Sequence, residues 1–195
     1  QDIYKIDDKR VIVGRIETGE LTLNDELFFL PSNETVKLKS FEAWPKAKQK
    51  YISGDNVGLT IEEQIFIDKG NLISHVTSRP KLMNTFEANL FWLSEKKLKV
   101  NKQYLMKINT GEYNIFIRKV SRVIDTNNLN SKHSSLSPEK NDVCEVIIHS
   151  SQLIPMDDFK DNQKTGRFCI LDEEEIIAGG IINLSLIHIS EPTRR

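Results

Sequence analysis

Few residues in this chain have the type and spacing for chemistry. Its histidines His75, His133 and His149 lie far apart, and no two share the spacing of metal ligands. Cys144 and Cys169 sit in separate apolar runs, so neither a disulfide framework nor a paired thiolate site is expected. Both read as small buried hydrophobes. Asp157-Asp158 and Glu173-Glu174-Glu175 are carboxylate clusters that could do acid–base work if buried. Each stands beside turn signals, so a solvated loop is expected. A triphosphate needs the backbone donors, the Lys and the hydroxyl of a G-x-x-x-x-G-K-[ST] loop. That loop is missing: Gly54 and Gly58 are too close together and no Lys follows. Asp55-Asn56-Val57-Gly58 matches D-x-x-G only formally. Asn101-Lys102-Gln103-Tyr104 starts like the base-reading N-K-x-D but has Tyr where Asp must pair the base. No catalytic, cofactor-binding or metal residue is therefore assigned.

Two cationic features remain. Lys46, Lys48 and Lys50 are interleaved with Trp44 and Tyr51, a pattern that can bind single strands. The favoured expectation is a wet loop between two core aromatics. Arg15 shares strand parity with Val11 and Val13, on a face that is otherwise apolar. It either snorkels from a barrel rim or pairs across an interface.

The elements that would carry these residues are strands. Ile3–Ile6 and Arg10–Ile16 flank Asp7-Asp8 as a hairpin. Leu27–Leu30 is an unbroken apolar run, and Val36–Lys39 alternates with one face wet. Val57–Ile61 and Asn71–Ile73 follow turns at Gly54-Asp55 and Asp68-Lys69-Gly70. The pattern resets at Ser78-Arg79-Pro80, where the residue before proline is pushed to extended geometry. Phe86–Leu93, Tyr104–Ile108, Tyr113–Val123, Cys144–Ile148, Arg167–Leu171 and Ile176–Ile182 continue as strands. A polar stretch, 125–141, reads as a long loop. Gly179-Gly180 inside the last strand suggests a bulge or a barrel corner. Strands every ~8–12 residues without a helical period predict an all-β protein. The break predicts two consecutive small β-barrels, 1–79 and 80–183.

The bulk numbers agree with an ordinary globular chain. Of 195 residues, 38% are hydrophobic and 28% charged, with 27 Lys plus Arg against 28 Asp plus Glu. The formal charge of −1 gives no global pull toward nucleic acid or an anionic membrane. No apolar run reaches the ~18 residues of a membrane span. Reduced thiols predict a cytoplasmic protein. The chain starts at Gln1 in a strand pattern, which predicts a preceding segment. Residues 184–195 include LSLIHISEPTR, similar to a sequencing-adapter translation, and are expected to be non-native, His188 with them.

Several motifs carry a family resemblance. Gly14-Arg15-Ile16-Glu17-Thr18-Gly19, residues 53–59 (SGDNVGL) and Asp68-Lys69-Gly70 resemble the second domain of elongation factor Tu-like translational GTPases. Gly166-Arg167-Phe168 with Ala178-Gly179-Gly180-Ile181-Ile182 resembles the close of their third domain. More selective are Gln1–Lys5 with Asp7–Arg10, Phe41-Glu42-Ala43-Trp44 and Glu63-Gln64-Ile65-Phe66-Ile67. Phe91-Trp92-Leu93, Arg122–Thr126, Asp157-Asp158-Phe159 and Thr165–Phe168 complete the set. Together they resemble the sulfate adenylyltransferase subunit 1 family, which in some bacteria is fused to an adenylylsulfate kinase.

That resemblance implies a parent that couples GTP hydrolysis to making adenosine 5′-phosphosulfate and pyrophosphate from ATP and sulfate. It implies GTP and Mg in an N-terminal domain outside this sequence, and a small subunit as partner. The chain itself is then expected to be inactive alone and to serve coupling and assembly, with Lys5, Arg10 and Arg15 as interface candidates. A different expectation is a translation factor piece that binds tRNA. The near-zero charge and the Phe-Glu-Ala-Trp and Phe-Trp-Leu signatures argue against it.

Overall fold

The computed structural model describes residues 1–43, 47–126 and 137–184. Every regular element among them is a β-strand. Trp44, Lys46, His133, His188 and most of the expected loop 125–141 lie outside the described residues. So do 185–195, all of the expected non-native tail but its first residue.

Backbone contacts divide the chain into two units. The first comprises Gln1–Leu82 with Ile108–Glu112 and Leu153–Met156; the second comprises Met83–Lys107, Tyr113–Gln152 and the chain from Asp157. Eight strands lie in the first stretch: β1 (Asp2–Ile6), β2 (Lys9–Arg15), β3 (Glu20–Thr22), β4 (Glu26–Leu30), β5 (Glu34–Glu42), β6 (Lys50–Ile52), β7 (Asn56–Ile61) and β8 (Leu72–His75). Six of them form an antiparallel sheet in the order β1-β2-β7-β5-β4-β8, and β3 pairs with β6 as a separate ribbon. The sheet is barrel-like in its packing: Ile12, Phe29, Val36, Leu38, Leu59 and Ile67 meet Leu21 and Tyr51 of the ribbon in one core. Its hydrogen-bond ladder stays open, with β1 and β8 as edges.

Local sequence explains the local structure. In β5, Val36 and Leu38 are buried while Lys37 and Lys39 are wet, as the alternation predicts. The run Leu27–Leu30 in β4 is buried on both faces. Leu27 and Phe29 enter the core. Phe28 faces the other way and lies under the Arg79 guanidinium, 4.0 Å from the ring centre.

The rest of the chain forms β9 (Lys81–Trp92), β10 (Gln103–Ile108), β11 (Gly111–Ile124), β12 (Val143–Met156), β13 (Arg167–Asp172) and β14 (Glu175–Asn183), and the second unit takes all but the ends of these strands that fall in the first. These close into a barrel ordered β10-β11-β12-β9-β14-β13. Closure removes sheet edges altogether. Alternating buried positions, Phe86, Ala88, Leu90 and Trp92 on β9 and Tyr104 and Met106 on β10, fill the interior.

β12 is longer than the sequence predicts. The polar run His149-Ser150-Ser151-Gln152 hides the period. Ser150 is nevertheless fully buried, and its hydroxyl donates to the Asn114 carbonyl at 3.1 Å. A satisfied hydroxyl can occupy a core-facing site at little cost.

The Gly pair does two different things. The β13–β14 register slips where Ile177 is skipped, just before the pair. A Cβ on Gly180 would lie 2.3 Å from the Phe168 ring and 2.8 Å from Leu90, so the ring needs a bare backbone there. Gly179 has open space above it. Gly180→Ala should therefore destabilise the second unit by about 1–3 kcal/mol. Gly179→Ala should be neutral or slightly stabilising. Denaturant unfolding of both variants checks this, and equal effects would contradict the packing described.

Candidate functional site

The two motifs of the first unit are one piece of structure. The turn at Ser53–Asp55 clasps the segment Ile16–Gly19. Gly54 donates to the Ile16 carbonyl at 2.8 Å, Ile16 to Asp55 at 3.0 Å and Ser53 to Gly19 at 2.9 Å. The Ser53 hydroxyl adds a bond to the Glu17 carbonyl. Gly54 has φ +96°, which a side chain resists. Gly58 lets β7 approach β5, because a Cβ there would sit 2.7 Å from the Glu42 carbonyl.

These contacts decide the D-x-x-G pattern. The Asp55 carboxylate accepts from the Ile52 amide at 3.1 Å and from Lys48 at 3.2 Å. The amide first, then the lysine, hold its carboxyl below the ordinary value. N-K-x is likewise structural. Asn101 takes a left-handed turn (φ 58°) and its side chain accepts from Arg118 at 3.2 Å. Lys102 is paired with Asp172 at 2.6 Å, and that bond pushes its ammonium above the ordinary range. Residues committed in this way do not fit a guanine nucleotide or its Mg, so no step through either group is assigned to this chain.

The cationic features separate. Lys48 pairs with Asp55 and lies 5.4 Å from the Tyr51 ring centre, and Lys50 pairs with Glu20. Tyr51 is 4% exposed and packs against Phe41 at 4.7 Å between ring centres. A base could not stack on it.

Of the interface candidates, Lys5 and Arg10 are cross-strand partners at the β1–β2 hairpin. Arg15 pairs with Asn56 at the far end of β2, about 17 Å along the strand. Arg15 is exposed and 4.0 Å from Glu17. Ile12 joins the main core cluster from β2, so Arg15 lies on the opposite face, the one on which Val11 is buried. Arg10 is held: one Nη donates to the Ile65 carbonyl at 2.6 Å and the other to the Ile67 carbonyl at 3.0 Å. Next to it Lys9 bonds Glu42 at 3.2 Å. The Ser40 hydroxyl, and after it Lys9, keep the Glu42 carboxyl below its usual value. Lys5, Asp8, Lys9, Arg10, Ile3 and Gln64 line a shallow concavity of about 430 Å³.

One expectation is overturned. Asp157-Asp158 is not a solvated cluster. Asp158 is 8% exposed and accepts from the amides of Lys160 at 2.8 Å and Leu184 at 2.7 Å. Asp157 accepts from the Thr165 hydroxyl. Gly166 closes the same knot: a Cβ there would lie 2.6 Å from the Phe159 Cα. Asp158 is buried because it supplies acceptors for amides that no strand partner satisfies, while Asp157 is half-buried beside it. Glu173–Glu175, by contrast, are exposed at the β13–β14 turn, where Glu175 pairs with Lys96 at 2.9 Å.

His75 contacts the Glu20 carbonyl at 2.9 Å and His149 the Thr85 hydroxyl at 2.9 Å. Among the described residues no cluster of three or more His, Cys, Asp or Glu could hold a metal ion, and no helix is long and apolar enough to cross a membrane. Phe66 was missed by sequence reasoning: the triplet Ile65-Phe66-Ile67 looks uniformly apolar, yet its centre is 76% exposed. Strand-like alternation inside the triplet is the signal that could have found it.

The architecture defines a class: two β units in series, whose distinctive motifs hold turns and strand ends together. The match to the GTP-eEF1A C-terminal domain-like family covers residues 85–183, just over half of the chain, and the chain belongs to that family. It is also similar to sulfate adenylyltransferase subunit 1 of Saccharophagus degradans, 29% identical over 84% of this chain and 34% of the relative. The corresponding protein of Shewanella woodyi is 27% identical over 85% of this chain and 35% of its own length. The chain thus spans about a third of the curated relatives it matches. The crystal structure of Sup35 complexed with GDP superposes with a TM-score of 0.85 at 20% identity, over 94% of this chain and 46% of that one.

Cys144 is fully buried and burial pushes its thiol up to about 12 from 9.0. A thiolate attacks alkylating agents and a thiol does not. Native chain at pH 8 should leave Cys144 unlabelled, and unfolding should expose it. Because the folded value is the higher one, its contribution to stability is present below pH 9 and fades as pH rises toward 12. Rapid labelling of Cys144 in folded protein would contradict the burial.

Proposed function

We propose that this chain supplies the two β-barrel units of a sulfate adenylyltransferase large subunit, and that these units couple and assemble rather than catalyse. The parent reaction would join ATP and sulfate into adenosine 5′-phosphosulfate and pyrophosphate, driven by GTP hydrolysis. GTP and Mg would be held by an N-terminal domain of the parent, the adenylyl transfer site would belong to the small subunit, and the setting would be the cytoplasm. The observation that carries this reading is the similarity to subunit 1 proteins along 84% and more of the chain. The side-chain commitments support it, since the residues that could mimic a nucleotide site are engaged in turns and ion pairs.

On this reading the GTP-dependent segments of the parent press on the first unit, which passes the change of state to the small subunit. Lys5, Arg10 and Arg15 are the candidate contacts. Arg10 also holds Ile65 and Ile67, so its replacement would mix assembly with stability. Lys5 and Arg15 are exposed and give the cleaner test. In the complete large subunit, Lys5→Ala with Arg15→Ala should weaken association with the small subunit roughly tenfold and lower GTP stimulation of adenylyl transfer. Unchanged association and stimulation would contradict the assignment. A tRNA-binding assay at two salt concentrations separates the translation factor reading, because phosphate contacts give a steep salt slope.

A further inference from the structure

Arg10 does more than fill a rim position. Its guanidinium grips the carbonyls on both sides of Phe66, at Ile65 and Ile67. Ile65 packs against the core and Ile67 is 4% exposed within it. With both neighbours turned inward and their carbonyls fixed, the residue between them is directed outward, and Phe66 is left 76% exposed. Scattered exposed apolar residues are normal and need no explanation. This one differs because its backbone is clamped, so little ordering entropy remains to be lost when something covers it.

The surroundings state what would cover it. Arg10 lines the concavity of about 430 Å³ together with Lys5, Lys9, Asp8, Ile3 and Gln64. Lys9 is answered by Glu42, and Arg10 spends two donors on neutral carbonyls. Lys5 is exposed on β1 and has no hydrogen-bonding or ionic partner among the described residues. With Lys9 answered by Glu42, the concavity still carries Lys5 and Arg10 against one lining carboxylate, Asp8, and calls for a negative group. A nucleic acid backbone is disfavoured, because Glu62, Glu63 and Asp68 stand exposed along the segment that presents Phe66. A free anion would leave Phe66 uncovered. A protein surface satisfies both demands.

We propose that Phe66 and the Lys5–Arg10 concavity form the anchor by which this chain docks the small subunit, whose surface offers an apolar pocket edged by a carboxylate. The proposal rests on the assembly reading above and names its site. Aromatic anchors in such pockets carry much of an interface's binding energy. The test titrates the 195-residue chain with purified small subunit of the same enzyme, at low and high salt.

Phe66→Ala should weaken binding roughly 30-fold and leave the unfolding midpoint unchanged, since the side chain is outside the core. Lys5→Glu should weaken binding roughly tenfold and flatten the salt dependence. Ile176→Ser, at an exposed apolar position of the second unit (53%), should change nothing. Binding by Phe66→Ala at wild-type strength would overturn the proposal while leaving the assembly reading in place. Self-association of the chain through Phe66 would also overturn it. A wild-type chain that does not bind the small subunit at all would remove the assembly reading together with its proposed site.

Discussion

The two carbonyls held by Arg10 are the point on which the first unit turns. An all-strand unit satisfies its backbone donors and acceptors only across neighbouring strands. Between β7 and β8 the chain runs from Glu62 to Asn71 outside any strand. There a part-buried guanidinium supplies the donors that a ladder would otherwise provide. This lets Ile67 join the core beside Leu38 and Leu59. The same bonds fix where Phe66 points, so one side chain serves both the stability of the unit and the shape of its surface.

Side-chain acceptors perform the matching service elsewhere. Asp55 caps the turn that clasps Ile16–Gly19, and Asp158 takes the amides of Lys160 and Leu184 at the end of β14. The glycines sit where backbones or rings approach closest, at Gly58, Gly166 and Gly180. The motifs that resemble parts of a nucleotide site are here a set of joints. A family can keep such joints while the chemistry resides in another domain, because fold and site are separable.

Much of the fold was legible from spacing. Hairpin β1–β2, the alternation of β5 and the doubly buried β4 follow from periods of two and from turn residues. The second half of β12 was not legible, because Ser150 is polar and faces inward on a hydrogen bond. The site was less legible still. Asp158 reads as wet because Asp-Asp beside a turn is usually solvated; its burial depends on amides brought from Leu184, distant in sequence. Arg15 drew attention through strand parity with Val11 and Val13; Val11 is buried on that face, while Ile12 enters the main core on the other. Arg10, one residue out of that parity, is the one with specific contacts. Long-range hydrogen bonds of this kind leave no local periodic trace.

On the proposed reading this chain couples and assembles, with the small subunit seated on the face of β1, β2 and the segment that follows β7. Amide hydrogen exchange of the chain with and without the small subunit tests it most directly. The account predicts slowed exchange concentrated in residues 2–10 and 62–68, and no change on adding GTP. Protection confined to the second unit, or protection by GTP, would contradict it.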